Sequence, residues 1–345
     1  MISFRESMEL LDTITFRPRV IKRYLMDSLG YHLAKDIIAS YNSPSAPTAA
    51  MDGYAIRFED QNEDKLKIAG INPAGASKEF ILEPKSAIKT FTGSIMPKGS
   101  DTLIPIENVE VEKDYILIKE RVERGFSVRQ IGENFREGEI LIPKGEYINY
   151  SQIGVMAALN IVNVEVFAKP RVSILSSGSE LLELGEEQKK QSEIRSSNNY
   201  TIEAIVKRFG GEPVQLGVVK DDLNSIKEAI LNALRVSDIV VTTGGVSVGD
   251  FDFVKDVVKE VGAEVLFKGV VIKPGQHIMV ATKDEKVIVA LPGFAYSSTV
   301  TALLYVVPLI KKFQGSKSPI KKVKAILQEP FIKRSKKEEF TPANL

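Results

Sequence analysis

The chain has 345 residues, 43% hydrophobic and 26% charged, with a formal net charge of +1. This is the make-up of a globular protein of about two or three domains, with no excess of charge to attract nucleic acid or a membrane surface. Cysteine is absent, which excludes disulfides, thiolate catalysis and cysteine-held zinc or iron–sulfur sites; His32 and His277 are the two histidines, so any metal is expected to be a hard cation held by oxygen. No apolar run reaches the length of about 18 residues that spans a bilayer, and the N-terminal residues lack the apolar core of a signal peptide, so a cytoplasmic location is expected. Absent Cys and Trp, with abundant Lys, Glu, Ile and Val, suggest a heat-adapted source.

Ser3 and Glu6 have the spacing of a capping box, with Met8 and Leu11 giving apolar periodicity to a first helix. Pro18 can start a second helix, with Val20, Ile21, Tyr24 and Leu25 on its inner side. Residues 31–39 read as extended, and the Pro/Ser/Ala-rich residues 43–51 exclude regular structure. Asp52-Gly53 is a turn signal before a strand-like Tyr54–Arg57; a plain surface turn and a functional carboxylate are both open.

Residues 66–143 read as short β segments punctuated by glycine and proline, with a hairpin turn at Lys113-Asp114. Thr92 ends one of these segments, where it can donate to a ligand or only cap a turn. Ser151 can cap a helix carrying Ile153, Met156 and Leu159, and residues 162–167 follow as a strand.

After Pro170 an α/β rhythm takes over. Strands are expected at 171–176, 214–219, 239–241, 265–271, 277–281 and 287–291, alternating with amphipathic helices. A long apolar helix is expected from Tyr296 to Phe313, with Pro308 inside it. This alternation predicts a doubly wound parallel sheet, which binds ligands beyond the C-terminal ends of its strands. Those ends carry Ser177-Gly178 with Glu180, Asp221-Asp222, the run from Thr243 to Asp250, Lys273-Pro274-Gly275 and Pro292-Gly293.

The run after the third strand is the most informative. Thr243, Gly244, Gly245, Ser247 and Gly249 lead towards a helix that begins near Asp252. Glycines let backbone N–H groups approach an anion at a helix N-terminus. Asp250 and Asp252 would repel a phosphate unless a divalent cation sits between them. The pattern matches neither G-x-x-x-x-G-K-[ST] nor G-x-G-x-x-G, so it reads as a site for a phosphorylated ligand with Mg²⁺. Asp221 and Asp222 can share that cation or simply cap the next helix. Lys273 can counter an anion or be a solvated charge, and His277 reads as structural.

Taken together, the motifs resemble the molybdopterin molybdotransferase family, the MoeA proteins and the E domain of gephyrin. The matching stretches are Ala50-Met51-Asp52-Gly53-Tyr54-Ala55, Thr90-Phe91-Thr92-Gly93 with Pro97, and Arg129 with Gly132-Glu133. Further along they are Ser177-Gly178 with Glu180-Leu181, Asp221-Asp222, residues 243–249 with Asp252, Lys273-Pro274-Gly275 and Leu291-Pro292-Gly293. The resemblance covers residues 1 to about 320. It implies a MoeA-like α/β multidomain chain: an elongated N-terminal dimerisation-type domain of residues 1–45 plus 144–170, a β-rich insert of 46–143, and a doubly wound three-layer molybdopterin-binding domain of 171–320. Residues 321–345 would be a remnant or the start of the family's C-terminal β-barrel, being too few to form it. The implied activity is insertion of molybdate, or tungstate, into adenylylated molybdopterin with Mg²⁺ and release of AMP. The implied site is shared across a homodimer. Asp52, Thr92, Glu180 and Asp252 would be catalytic. Ser177, Gly178, Thr243, Gly244, Gly245, Ser247, Gly249, Lys273, Pro274, Gly275, Pro292 and Gly293 would bind substrate, and Asp221, Asp222, Asp250 and Asp252 would serve the metal.

Four motifs depart from the family pattern. Leu-Pro-Gly-Asn-Pro becomes Leu-Pro-Gly-Phe-Ala at 291–295, and Lys-Pro-Gly-Lys-Pro becomes Lys-Pro-Gly-Gln-His at 273–277. Gly-Glu-Asp ends in Asn134, and the acid after Ser-Gly is Ser179. The alternatives are therefore a catalytically degenerate paralogue that binds molybdopterin or acts as a scaffold, and a molybdopterin adenylyltransferase.

Overall fold

The structure, a computed structural model, describes residues 1–245, 253–316, 323–333 and 335–343. These divide into two compact units, Asp36–Ile142 and the remainder, Met1–Lys35 with Pro143–Leu345.

The larger unit is built on a six-stranded sheet: β1 (Arg171–Ser177), β2 (Glu212–Val219), β3 (Ile239–Thr243), β4 (Glu264–Lys268), β5 (Met279–Lys283) and β6 (Lys286–Leu291), in the order β2-β1-β3-β6-β5-β4. The helices are α1 (Phe4–Thr13), α2 (Tyr150–Ala158), α3 (Ser197–Arg208), α4 (Leu223–Val236), α5 (Phe253–Glu260), α6 (Ala295–Thr301) and α7 (Val307–Phe313). Strand alternation decides the layering. Val172, Ile174, Ile239, Val241, Val287 and Val289 pack with α1, α3 and the 302–310 stretch on one face. Leu175, Val240, Ile288 and Ala290 pack with α4 and α5 on the other. Side chains two apart share a face, so each apolar run feeds both cores and three layers result.

The sheet is mixed, not wholly parallel. β1, β2, β3 and β6 are parallel, whereas β5 runs antiparallel to β6 and β4 antiparallel to β5. Only Asp284-Glu285 separates β5 from β6, with Asp284 at φ 55°. A two-residue link makes a hairpin, because a parallel return needs a crossover of a dozen or more residues.

Three further expectations are corrected. Residues 20–24 form a strand, not a second helix, paired antiparallel with Asn163–Phe167 from Val20↔Phe167 to Tyr24↔Asn163. A short β-branched and aromatic run takes whichever partner the fold supplies. α2 is capped by Asn149 rather than Ser151: its side chain accepts from the Ser151 N–H at 2.7 Å, and Gln152 completes the capping box. The expected long helix is interrupted, with residues 302–306 widening into a π-helical turn before α7, where Pro308 lies in the first turn. Proline has no N–H to give and its ring crowds the carbonyl four residues back, so the helix widens just before it.

The smaller unit holds its own six-stranded sheet, in the order Thr102–Pro105, Gly53–Ile56, Ser86–Thr90, Leu66–Asn72, Tyr115–Ile118, Val109–Glu112. Tyr54, Ile56, Leu66, Ala87, Ile104 and Ile116 form its main core. Lys113-Asp114 makes the expected hairpin turn, with Lys113 at φ 55°.

Candidate functional site

In the larger unit, sheet register assembles the site. Ser176 lies opposite Thr243, and Thr243 opposite Leu291, so the neighbouring strands β1, β3 and β6 end level with one another. The segments that leave them, Ser177-Gly178, Gly244-Gly245 and Pro292-Gly293, are therefore side by side. Gly244 has φ +89°, and a Cβ there would lie 2.7 Å from the Ser177 carbonyl oxygen. Only glycine tolerates both the conformation and the approach. The Gly244 N–H donates to the Leu291 carbonyl at 3.2 Å. Asn198, at the start of α3, donates to the Gly293 carbonyl at 2.8 Å.

Beneath these turns lies a buried polar layer. Ser176 Oγ is 2.6 Å from both Asn199 Oδ1 and Thr243 Oγ1. Ser177 Oγ, Ser196 Oγ, Asn199 Nδ2 and Thr242 Oγ1 are buried with no hydrogen-bond partner among the described residues. Unsatisfied buried polar atoms cost stability unless something else meets them. Ser177 Oγ lies 3.4 Å from where a Gly245 Cβ would be, so the unpartnered hydroxyl sits beside the glycine turn.

A cavity of about 590 Å³ opens at this edge. Gly244, Gly245, Pro292 and Gly293 line it from the strand ends, and Lys273, Pro274 and Gly275 line it from the turn after Ile272. Three of the departures from the family pattern also line it: Gln276, His277 and Phe294. Gln276 Nε2 is 2.7 Å from His277 Nε2. Gln276 Oε1 accepts from Lys337, which also lines the cavity. Lys273 Nζ is 3.7 Å from a Glu339 carboxylate oxygen.

The carboxylates divide into distinct settings. Glu180 is exposed and folds back over Gly178, whose Cβ would meet its Oε2 at 2.9 Å. Asp222 is the N-cap of α4: Oδ1 accepts from the Ser225 N–H at 2.9 Å and Oδ2 from Ser225 Oγ at 2.7 Å. The Ser225 N–H, then its hydroxyl, holds the Asp222 carboxyl below its ordinary range. Asp221 is half-buried beside it. Ser247, Gly249, Asp250 and Asp252 lie outside the described residues. Among the described residues, no group of three histidines or carboxylates able to hold a metal ion is assembled.

Asp52 and Thr92 belong to the smaller unit and are brought together there. Gly53 pairs with Thr90 across neighbouring antiparallel strands, so the residues just beyond each strand end meet. Asp52 Oδ1 accepts from Thr92 Oγ1 at 2.6 Å and from the Thr92 N–H at 2.8 Å. These two bonds, the hydroxyl first, pull the Asp52 carboxyl below its ordinary range, and Lys89 adds to the effect. Gly53 is forced by close approach, since a Cβ would lie 2.3 Å from the Ile104 carbonyl oxygen.

Lys337 is the site residue that sequence reasoning missed. It lies in residues 321–345, read from the sequence as a remnant or the start of a C-terminal barrel. Its place depends on the short strand Glu338–Glu339 pairing with Ile272–Lys273, for which the sequence has no local signal.

Comparison with known proteins finds matches over most of the chain. Residues 2–160 match the family model described as the MoeA N-terminal region (domain I and II), and residues 173–312 match a probable molybdopterin binding domain. A molybdopterin molybdenumtransferase of Staphylococcus epidermidis is 33% identical over 342 residues, 96% of this chain and 81% of the relative. One from a Nostoc species is 34% identical over 295 residues, 83% of this chain and 67% of the relative. The crystal structure of a molybdopterin biosynthesis MoeA protein from Pyrococcus horikoshii is similar with a TM-score of 0.83 at 31% identity, covering 95% of this chain and 83% of that one.

Proposed function

We infer the activity from one premise: the chain belongs to the molybdopterin molybdenumtransferase (MoeA) family. It acts in molybdenum cofactor biosynthesis as a transferase, inserting molybdate, or tungstate in its place, into adenylylated molybdopterin with release of AMP. The observation that carries this reading is the 33% identity sustained over 342 residues to a relative of that name.

In this proposal the glycine turn Gly244-Gly245 and its continuation through Ser247 and Gly249 hold a phosphate of the ligand. The Ser177 hydroxyl, which has no partner among the described residues, supports that role, since an anion would complete it. Thr243 supports the turn from below through Ser176. Gly178, Pro274, Gly275, Pro292 and Gly293 let backbone approach the ligand, and Lys273 offsets its charge. Asp52, kept ionised by Thr92, takes or orients a proton as the oxyanion reacts. Glu180 and Asp252 are the acidic partners on the larger unit.

Mg²⁺ is the proposed cation, drawn to a donor set made wholly of oxygen: Glu180, Asp221, Asp250 and Asp252. Asp222 is already committed to Ser225. The described residues alone assemble no metal-holding group; the contribution of the ion when bound would be to neutralise phosphate charge. The protein is proposed to be a cytoplasmic homodimer whose active sites draw residues from both subunits. Among the described residues no helix is long and apolar enough to cross a membrane. The domains are proposed to be residues 1–45 plus 144–170, 46–143, 171–320 and 321–345.

The test is direct. Pure protein incubated with adenylylated molybdopterin, Mg²⁺ and molybdate or tungstate is expected to release AMP. Absence of AMP with pterin binding retained would overturn the transferase reading. It would favour the second one, a binding or scaffold paralogue, which has its own support in Gln276, His277 and Phe294 lining the cavity.

A further inference from the structure

The other edge of the large sheet carries a cluster of cations that the glycine turns do not touch. β1 runs from Arg171 to Ser177, roughly 20 Å at about 3.3 Å per residue, so Lys169 lies at the edge remote from those turns. Aromatic rings gather the cluster. Lys169 Nζ stands 4.6 Å from the centre of the Tyr31 ring, and Arg23 Cζ stands 5.0 Å from the same ring. Lys311 Nζ, from α7, stands 5.5 Å from the Tyr147 ring. Backbone pairing makes the two rings neighbours: the Ile148 N–H donates to the Tyr31 carbonyl at 2.9 Å, and His32 bridges to Tyr147. The His32 ring packs edge-on against Tyr147 with centroids 5.3 Å apart.

A ring face offsets part of a positive charge but leaves most of an ammonium's N–H donors unused. Neither Lys169 nor Lys311 forms an ion pair or a hydrogen bond among the described residues. Lys312 shows what its neighbour lacks, since its ammonium donates to the Leu11 and Asp12 carbonyls at the end of α1. Lys169 and Lys311 are both half-buried. Burial, then the charge of Lys169, holds the Lys311 ammonium below its ordinary range. Like charges held together in partial shelter from water oppose the fold unless an anion lies between them.

Buried nitrogens in the same cluster lead to the same place. His32 is 3% exposed, and its Nδ1 has no partner among the described residues. Burial, then Lys311, pushes the imidazole down to about 4, so it is neutral at physiological pH and can carry its proton on Nδ1. Arg23 Nε is also buried without a partner among the described residues, although Nη2 donates to the Tyr31 hydroxyl at 2.6 Å. A buried donor left unmet costs stability. Here such donors and uncompensated ammoniums occur together.

We propose that Lys169, Lys311 and His32 form a second anion site, for a phosphate group, at the sheet edge remote from the glycine turns, with Arg23 at its margin. Two ammoniums match a dianion, and a phosphate group carries about two negative charges at neutral pH. Its oxygens can accept from both ammoniums and the imidazole N–H at once, through charge-assisted hydrogen bonds. The phosphate is free orthophosphate or one carried by a nucleotide, two sources of the same chemistry that binding experiments separate.

The two histidines make the test local, since His32 lies in this cluster and His277 lines the strand-end cavity. The full chain, isotopically labelled in its histidine rings, is titrated at neutral pH with orthophosphate and, separately, with AMP. NMR follows both imidazole signals, assigned with His277→Gln, and sodium chloride of matched ionic strength is the control. The His32 signal is expected to shift saturably with phosphate. Lys169→Met and Lys311→Met, which keep the apolar stem and lose the charge, are each expected to weaken that response about tenfold, and Lys311→Arg to retain it. A tighter response to AMP than to orthophosphate identifies a nucleotide phosphate as the ligand; an equal or weaker one identifies free phosphate. A His32 signal that stays still, that moves equally in chloride, or that responds undiminished in both methionine variants overturns the proposal. Phosphate that moves only the His277 signal has entered the strand-end cavity alone and overturns it too. Failure of the transferase assay leaves this site intact, because no part of it rests on that reading.

Discussion

Asp52 is an exposed carboxylate in a specific setting. Both donors of Thr92 converge on its Oδ1, at 2.6 and 2.8 Å, fixing its orientation and favouring its ionised form. Asp52→Ala is expected to lower AMP release by about 10²–10⁴-fold, the usual weight of a proton-transfer group, without changing the melting temperature. Thr92→Val tests the coupling. It removes the hydroxyl but keeps the N–H, so the Asp52 pKa rises towards its ordinary value and the acid limb of the kcat/KM profile moves to higher pH. A limb that stays in place would separate Asp52 from the reaction. The sequence left Asp52 open between surface turn and functional carboxylate, because its partner is 40 positions away and only the register of Gly53 against Thr90 joins them.

At the scale of elements, the three loops meet because β1, β3 and β6 end in register. The helix that follows β6 shows the effect of the Phe294-Ala295 substitution. Phe294 is the N-cap of α6, makes no side-chain capping bond and is 75% exposed. Phe294→Asn is expected to stabilise the protein by about 0.5–1 kcal/mol, because asparagine can accept from an otherwise orphan helix N–H. Urea denaturation checks this through a higher midpoint at unchanged slope. A lower midpoint would mean that the exposed ring makes stabilising contacts in solution. The lost amide was legible in the sequence; that residue 294 caps α6 and lines the cavity was not, since that depends on the neighbouring loops.

For the whole molecule, the proposal of a shared active site makes a quantitative statement. Asp52→Ala and Asp252→Ala homodimers should each be inactive. After dissociation and random reassociation, half the dimers are mixed, and each mixed dimer has one wholly wild-type site of its two. Activity should therefore recover to about a quarter of wild type, as two-fold symmetry requires. Mixtures that stay inactive although exchange is shown by light scattering of tagged subunits would mean that both residues serve a site within one chain.

The layered α/β architecture and the glycine-bearing strand ends were legible in the chain itself, because they depend on local rules. Side-chain alternation in Ile239-Val240-Val241 fills two cores, and Gly244, at φ +89°, takes a backbone conformation that favours glycine. The motif set around Asp52, Thr92, Glu180 and residues 243–249 carried the family for the same reason: each part is a short contiguous stretch. Tertiary structure alone decided that residues 20–24 are a strand, that Thr92 orients Asp52, that the Ser177 hydroxyl finds no partner among the described residues and that Lys337 reaches the cavity. Each of these depends on segments distant in sequence, whose pairing is selected by the packing of the whole fold and leaves no period or spacing to read.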